Sequence, residues 1–292
     1  MRYLSIFQEL RIFLPKQNTL FLFESFIIRH RSSLKNEKTY NYDRKNLLID
    51  IDVKKIEDQY QIFENGNPLK TALGNIFKFP LRKRSFAYMV SQELRSFGLK
   101  RSEYHFLPLT SLANKAIDIF SSKSTRENAC NVLLKYLDTD TILIFAPESQ
   151  SSGELLALQK KSWEPLHNWA QMYWKVNIFK TFCDLGINVH VQSQETKDKI
   201  ALWMHTLDKW QFAALDRAVC ASKSFIIGAK MIVMGNSLLN DYLSPEEACD
   251  LAQLETDFQI SQWGEIKESH NIEREDIRRL LRSANAIIKD DK

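Results

Sequence analysis

Between Phe225 and Met234 the chain reads FIIGAKMIVM, a segment that is apolar on every side when wound as a helix. Such a helix belongs either in a membrane or at the centre of a folded domain. Lys223 and Lys230 interrupt the surrounding stretch Asp208–Asn236 too closely for a span, which needs roughly 20 mainly apolar residues. The segment therefore predicts a buried helix with others packed around it. Helical periodicity supplies those neighbours: a long helix over Glu154–Trp174, with Pro165 expected to kink or break it, and another over Lys197–Leu207 after a loop at Gly186. Ser244-Pro245-Glu246-Glu247 is a helix start, with Ser as N-cap, Pro at the first position and Glu247 placed to close a capping box. That helix is expected to run through LETDFQISQWGEI (Leu254–Ile266) and stop near Gly264, before a charged helix over Lys267–Ile288.

The first half has a different period. Apolar and polar residues alternate in LLIDIDVKKI, then YQIF, LKT and IFKF, with Asn65-Gly66-Asn67-Pro68 and Leu73-Gly74-Asn75 as breaks. Alternation broken by dense turn residues is the hairpin signature. Helical spacing takes over from Leu81 to Phe97, ending at Gly98, and again over Leu109–Phe120 and Thr125–Leu137, followed by a strand at Ile142–Phe145. The expected class is α+β: a mixed α/β N-terminal domain with short antiparallel strands, followed by an all-helical C-terminal domain. Ser149-Gln150-Ser151-Ser152-Gly153 reads as the linker, which puts the mixed domain at 39–150 and the helical domain at 151–292.

The net charge of +4 sits at one end. Residues 1–38 hold seven of the 40 basic residues and three of the 36 acidic ones, leaving 33 of each sign in the body. A balanced body lacks the concentrated basic face that nucleic acid requires, so no nucleic-acid partner is expected. The leader is basic, contains Ser5, Ser25, Ser32 and Ser33, and spaces its apolar residues as a helix does, although Glu9 and Glu24 are unusual there. It reads as a mitochondrial transit peptide, and its run Leu20–Ile28 is too short to span a bilayer. Cys130, Cys183, Cys220 and Cys249 are scattered without a CxxC pair, which predicts reduced, buried thiols rather than zinc ligands or disulfides.

Catalytic patterns are scarce. The eight glycines form neither GxGxxG nor a phosphate loop, there is no GxSxG, and the six histidines make no HExxH or i, i+4 pair. Cys183, Asp184 and His190 could be assembled into a thiol site only by coincidence. Asp138 and Asp140, in DTDT, would share a face on an entering strand as a metal pair requires; equally, Asp and Thr there cap and turn the chain.

The segment LETDFQISQWGEI repays geometry. At 100° per residue Leu251, Leu254 and Phe258 form the core stripe, and Glu255, Gln259 and Gln262 form a second row beside it. Asp257 points well away from Glu255, so the two carboxylates are not an acid/base pair. Trp263 and Ile260 flank the polar row. The row is either a buried amide network or a partner-binding surface bracketed by apolar anchors, where tryptophan is typical of interface centres.

Five segments in one order and spacing carry a resemblance: LPLTSLANKAID (Leu107–Asp118), YLDTDTILIFAPE (Tyr136–Glu148), WEPLHNWA (Trp163–Ala170), DKWQFAALDRAV (Asp208–Val219) and LSPEEACDLAQLETDFQISQWGEIKESH (Leu243–His270). Over about residues 50–285 the chain resembles the mitochondrial ATP synthase assembly factor 2 family, chaperones for the alpha subunit of the synthase's catalytic sector. The resemblance implies a monomeric, non-enzymatic protein of the mitochondrial matrix, without a cofactor or bound metal. It implies that the protein holds unassembled alpha subunit until the beta subunit replaces it. The family's functional acidic residue before Gln-x-x-Gln-Trp-Gly falls on Glu255, with Gln259, Gln262, Trp263 and Gly264 completing the partner-binding element. Some members carry tryptophan after the acid of the first long helix, where this chain has Leu94 after Glu93. The competing reading is a matrix hydrolase or metal-dependent enzyme using Asp138, Asp140 or Glu255, which requires those carboxylates to converge in one cleft.

Overall fold

In the computed structural model, residues 50–97, 107–182, 191–234, 243–264 and 267–291 are described. The expected transit peptide, the loop at Gly186, the helix end at Gly98 and the trio Cys183, Asp184 and His190 lie outside those residues. The alternating segments form an antiparallel sheet. Strand β1 (Ile51–Ile56) pairs with β2 (Gln59–Glu64), and β2 pairs in turn with β3 (Asn67–Pro68) and β4 (Lys78–Pro80). Asn65 and Gly66 both take positive φ in the turn joining β2 to β3, the backbone that a tight hairpin demands. Ile51, Val53, Ile62 and Phe79 are buried on one face of this sheet, against helix α1 (Arg84–Phe97), which a single 3-10 turn (Leu81–Lys83) introduces. Leu94 is buried on α1. Beside it, the Glu93 carboxylate accepts from the Leu109 and Thr110 N–H groups and the Thr110 hydroxyl. That caps α2 (Pro108–Asn114), whose own N-cap residue, Leu107, offers no acceptor.

A π-helical turn (Lys115–Ile119) and α3 (Lys123–Asp138) follow, then β5 (Ile144–Phe145), α4 (Glu154–Trp174) and β6 (Thr181–Phe182), which pairs with β5 in parallel. The strand expected at Ile142–Phe145 is shorter because Asp140 caps a 3-10 turn over Thr141–Leu143. Pro165 does not break α4; packing of Trp163, Leu166 and Ala170 carries the helix through the missing N–H.

The remaining helices are α5 (Gln194–Thr206), α6 (Lys209–Ser222), α7 (Phe225–Met234), α8 (Pro245–Ala252), α9 (Leu254–Trp263) and α10 (Lys267–Ile288). Phe225, Ile226, Ile227, Ala229, Met231 and Ile232 are all buried, so α7 is the enclosed helix its composition predicts. Gly228 lets it approach α6: a Cβ there would lie 2.7 Å from the Val219 side chain and 3.0 Å from its backbone nitrogen. Asp208 closes a capping box on α6 and Ser244 one on α8. The helix expected to run from α8 to Gly264 is two helices, parted at Gln253, whose ψ of 9° lies outside the helical range.

The fold is α+β, with its four-stranded sheet early in the chain and helices dominating later. From Leu48 onward it makes one compact unit. Phe79 stacks on Trp210 at 5.4 Å, and Phe86 meets the same ring edge-on at 6.3 Å. The buried Lys83 ammonium donates to the carbonyls of Ile287, Ile288 and Lys289 at 2.6, 2.9 and 3.2 Å and pairs with Asp290, capping the end of α10. The Ser149–Gly153 stretch is a short 3-10 turn with Ser151 and Ser152 in the left-handed region. Chain on both sides of it shares one core.

Candidate functional site

Helix α9 is held from two sides. On one, the Gln159 side chain of α4 accepts from Ala146 N–H at 2.8 Å and donates to Glu255 Oε1 at 2.6 Å. Four residues on, Trp163 Nε1 donates to the carbonyl of Leu251 at 3.1 Å, so one face of α4 grips both α8 and α9. On the other side, Arg274 of α10 bonds Asp257 and, at 2.6 Å, Asp250. Arg282 adds a 2.7 Å bond to Glu246. Glu255 and Asp257 thus serve different neighbours, as their angular separation on the helix requires. Both also sit in the first turn of α9, where negative charge suits the helix dipole.

The predicted row divides in depth. Glu255 is half-buried, and burial pushes its carboxyl above the ordinary value, with the Gln159 hydrogen bond acting the other way. Gln259 and Gln262 are exposed, and Trp263, with 71% of its surface in solvent, ends the helix. Gly264 terminates it in an extended conformation at positive φ, its N–H still donating to Ile260 at 2.8 Å. The expected core stripe is buried at Leu254 and only partly covered at Leu251 and Phe258. With Leu158 and Ser162 of α4 these residues line a groove of about 630 Å³. The surface is a polar helix row ending in a bare indole, beside an apolar groove. It suits binding another protein.

The carboxylates of the enzymatic alternative do not converge. Asp138 pairs with Lys197 at 2.7 Å and accepts from Gln192 N–H at 2.9 Å. Asp140 is fully buried, accepts from the N–H groups of Ile142 and Ile226, and is pushed up by burial to about 6. Glu255 is spent on Gln159. His167, buried on α4, bonds the Ile142 carbonyl at 2.7 Å, and burial lowers it to about 4. Among the described residues no group of three or more His, Cys, Asp or Glu is placed to hold a metal ion. Cys130 and Cys249 are buried free thiols, whereas Cys220, expected inside, is exposed, although its thiol lies against Tyr136 and burial pushes it up. No described helix is long and apolar enough to cross a membrane.

The family model described as ATP12 chaperone protein matches residues 46–171. A Schizosaccharomyces pombe relative named "Protein atp12, mitochondrial" is 37% identical over 221 residues, covering 75% of this chain and 74% of its own length. The chain belongs to the ATP12 chaperone family. This is the assembly-factor family that the five sequence segments resemble. The Saccharomyces cerevisiae relative "Protein ATP12, mitochondrial" is 30% identical over 273 residues, covering 83% of this chain and 81% of its own. Two solved structures share the fold. Atp12 from Paracoccus denitrificans has a TM-score of 0.66 at 20% identity, covering 82% of this chain and 94% of that one. Atu1473, a putative chaperone from Agrobacterium tumefaciens, has a TM-score of 0.67 at 22% identity, covering 83% and 84%. An ATP12 chaperone is not an enzyme, and in this member Asp138, Asp140 and Glu255 each serve local structure. The α4 side was not legible in the sequence: Gln159, Leu158 and Ser162 carry no motif of their own, and the role of Gln159 depends on a contact 96 residues away.

Proposed function

We propose that this ATP12 family chaperone serves assembly of the mitochondrial ATP synthase in the matrix, as a monomer that holds unassembled alpha subunit until the beta subunit takes its place. The observation that carries this reading is Trp263, presented bare at the end of a braced helix beside Gln259 and Gln262. A large aromatic in solvent among hydrogen-bonding groups has the composition of a binding centre. Unassembled subunits expose apolar surface that aggregates unless covered. A chaperone of moderate affinity is displaced by mass action when the true partner arrives, so neither ATP hydrolysis nor a cofactor is required.

The structure supports separate roles along the predicted row. Trp263, Gln259 and Gln262 contact the client, Gly264 ends the helix so that Trp263 stands free, and Glu255 holds α9 on α4 through Gln159. Recovery of alpha subunit from mitochondrial extract on the tagged protein tests this. Glu255→Lys, which sets an ammonium against the Gln159 amide donor, is expected to remove most of the recovery while the chain stays folded. Full recovery on a folded Glu255→Lys protein would overturn the assignment of α9 as the client surface.

A further inference from the structure

A second surface lies away from α9, at the junction of the sheet with α1. There Tyr60, Leu81, Arg82, Arg84, Ser85, Tyr88 and Asp291 line a cleft of about 990 Å³. The Tyr60 and Tyr88 rings stand 6.4 Å apart at 59°, and the Arg84 guanidinium lies 5.8 Å over Tyr88. Lys55 is directly across from Tyr60 in the β1–β2 register and therefore on the same face. Tyr88 and Leu81 are 44% and 38% exposed, so the apolar part of the cleft is open to solvent.

The hydrogen-bonding inventory is lopsided. Asp291 is consumed by the Ser85 N–H at 2.7 Å and by the Ser85 hydroxyl. Arg82 is consumed by Asp208 at 2.7 Å and Asp290 at 3.5 Å. Arg84 and Lys55 form no salt bridge, and the Tyr60 and Tyr88 hydroxyls no hydrogen bond, among the described residues, although, against burial, the Arg84 charge helps the Ser85 hydrogen bonds to hold the Asp291 carboxyl below its ordinary value. What remains for a ligand is Arg84 in the cleft and Lys55 on the adjoining strand face, beside two tyrosine rings and a leucine, with the lining acid Asp291 already bound to Ser85. The fitting ligand supplies carboxylates to Arg84 and Lys55 and an apolar side chain to Leu81 and the rings. Two cations are too few for a polyphosphate backbone, and rings tilted at 59° make a poor stacking platform for bases.

We propose that this cleft docks an acidic, partly apolar extended segment of a protein partner, at a site separate from α9 and independent of the α9 assignment. Aromatic and arginine side chains together are the residues enriched at interface centres. Lost charge complementarity at such a cleft weakens binding strongly.

The test uses the purified full chain and a fluorescently labelled decapeptide of alternating Glu and Leu, read by anisotropy. Saturable binding is expected, weakening as salt rises, absent for the peptide with Gln in place of Glu, and about tenfold weaker for Arg84→Glu. Arg84→Gln and Tyr88→Ala give milder losses of the same kind, with circular dichroism confirming that each variant is folded. No saturable binding, or equal binding by wild type and folded Arg84→Glu, would overturn the proposal. So would saturable binding to anionic vesicles or single-stranded RNA, lost in Arg84→Glu, without binding of the acidic peptide.

Discussion

The Glu255 carboxylate accepts one hydrogen bond from Gln159 while much of its surface is withdrawn from water, and burial raises its pKa in the folded state. The folded chain then holds this proton more tightly than the unfolded chain does. Its stability contribution is fully present below the unfolded value and is lost as pH rises through the raised one. At neutral pH the ionised Glu255 therefore costs stability, and Glu255→Gln, which keeps an acceptor for Gln159, should be at least as stable as wild type. Urea unfolding at neutral and at mildly acidic pH checks the sign: the variant's advantage should shrink as pH falls. An advantage that grows on acidification would mean the folded pKa is lowered instead. Glu255→Gln should also keep its client, because the proposed role of Glu255 is to position α9 and amide serves that role. Loss of client by the folded Gln variant would favour direct pairing of Glu255 with a basic partner residue. At this scale the sequence was partly legible. Helical angles separate Glu255 from Asp257, but nothing local points to Gln159 or Arg274, because both contacts are set by packing between helices.

At the scale of elements, α6 and α7 approach closely, and Gly228 is the condition of that approach. Gly228→Ala puts a methyl group against Val219, including backbone that cannot swing aside. The expected cost is about 1–3 kcal/mol, the usual range for overpacking. A chemical denaturation midpoint measures it; an unchanged midpoint would show that α6 and α7 yield freely. Elements with their own end signals were readable: the Ser244 capping box, the Asn65-Gly66 turn and the all-apolar α7. Those set by long-range packing were not. Pro165 argues for a kink or a break, and the core contacts of Trp163 and Leu166 keep the helix unbroken. The parting of α8 from α9 at Gln253 has neither Gly nor Pro to announce it, and comes with the separate grips of Trp163 on Leu251 and Gln159 on Glu255.

Across the whole molecule, the change from strands to helices near residue 150 is a change of content within a shared core. Phe79 and Phe86 pack on Trp210, and Lys83 caps α10. We propose that the described residues on either side of residue 150 unfold together. Calorimetry of the chain should give one transition whose calorimetric and van't Hoff enthalpies agree. Two resolved transitions would instead make them separate domains. The Ser-rich stretch reads as a linker from its turn-like composition, and composition does not report what packs on either side, which is what the calorimetry tests.

The central claim, that the bare end of α9 meets the alpha subunit where the beta subunit later binds, is tested most directly by photocrosslinking. Benzoylphenylalanine replaces Trp263 in the full chain, which is irradiated in mitochondrial extract. The account predicts an adduct with the alpha subunit that diminishes as purified beta subunit is added. Absence of that adduct from a folded protein, or an adduct that added beta subunit leaves undiminished, would contradict it.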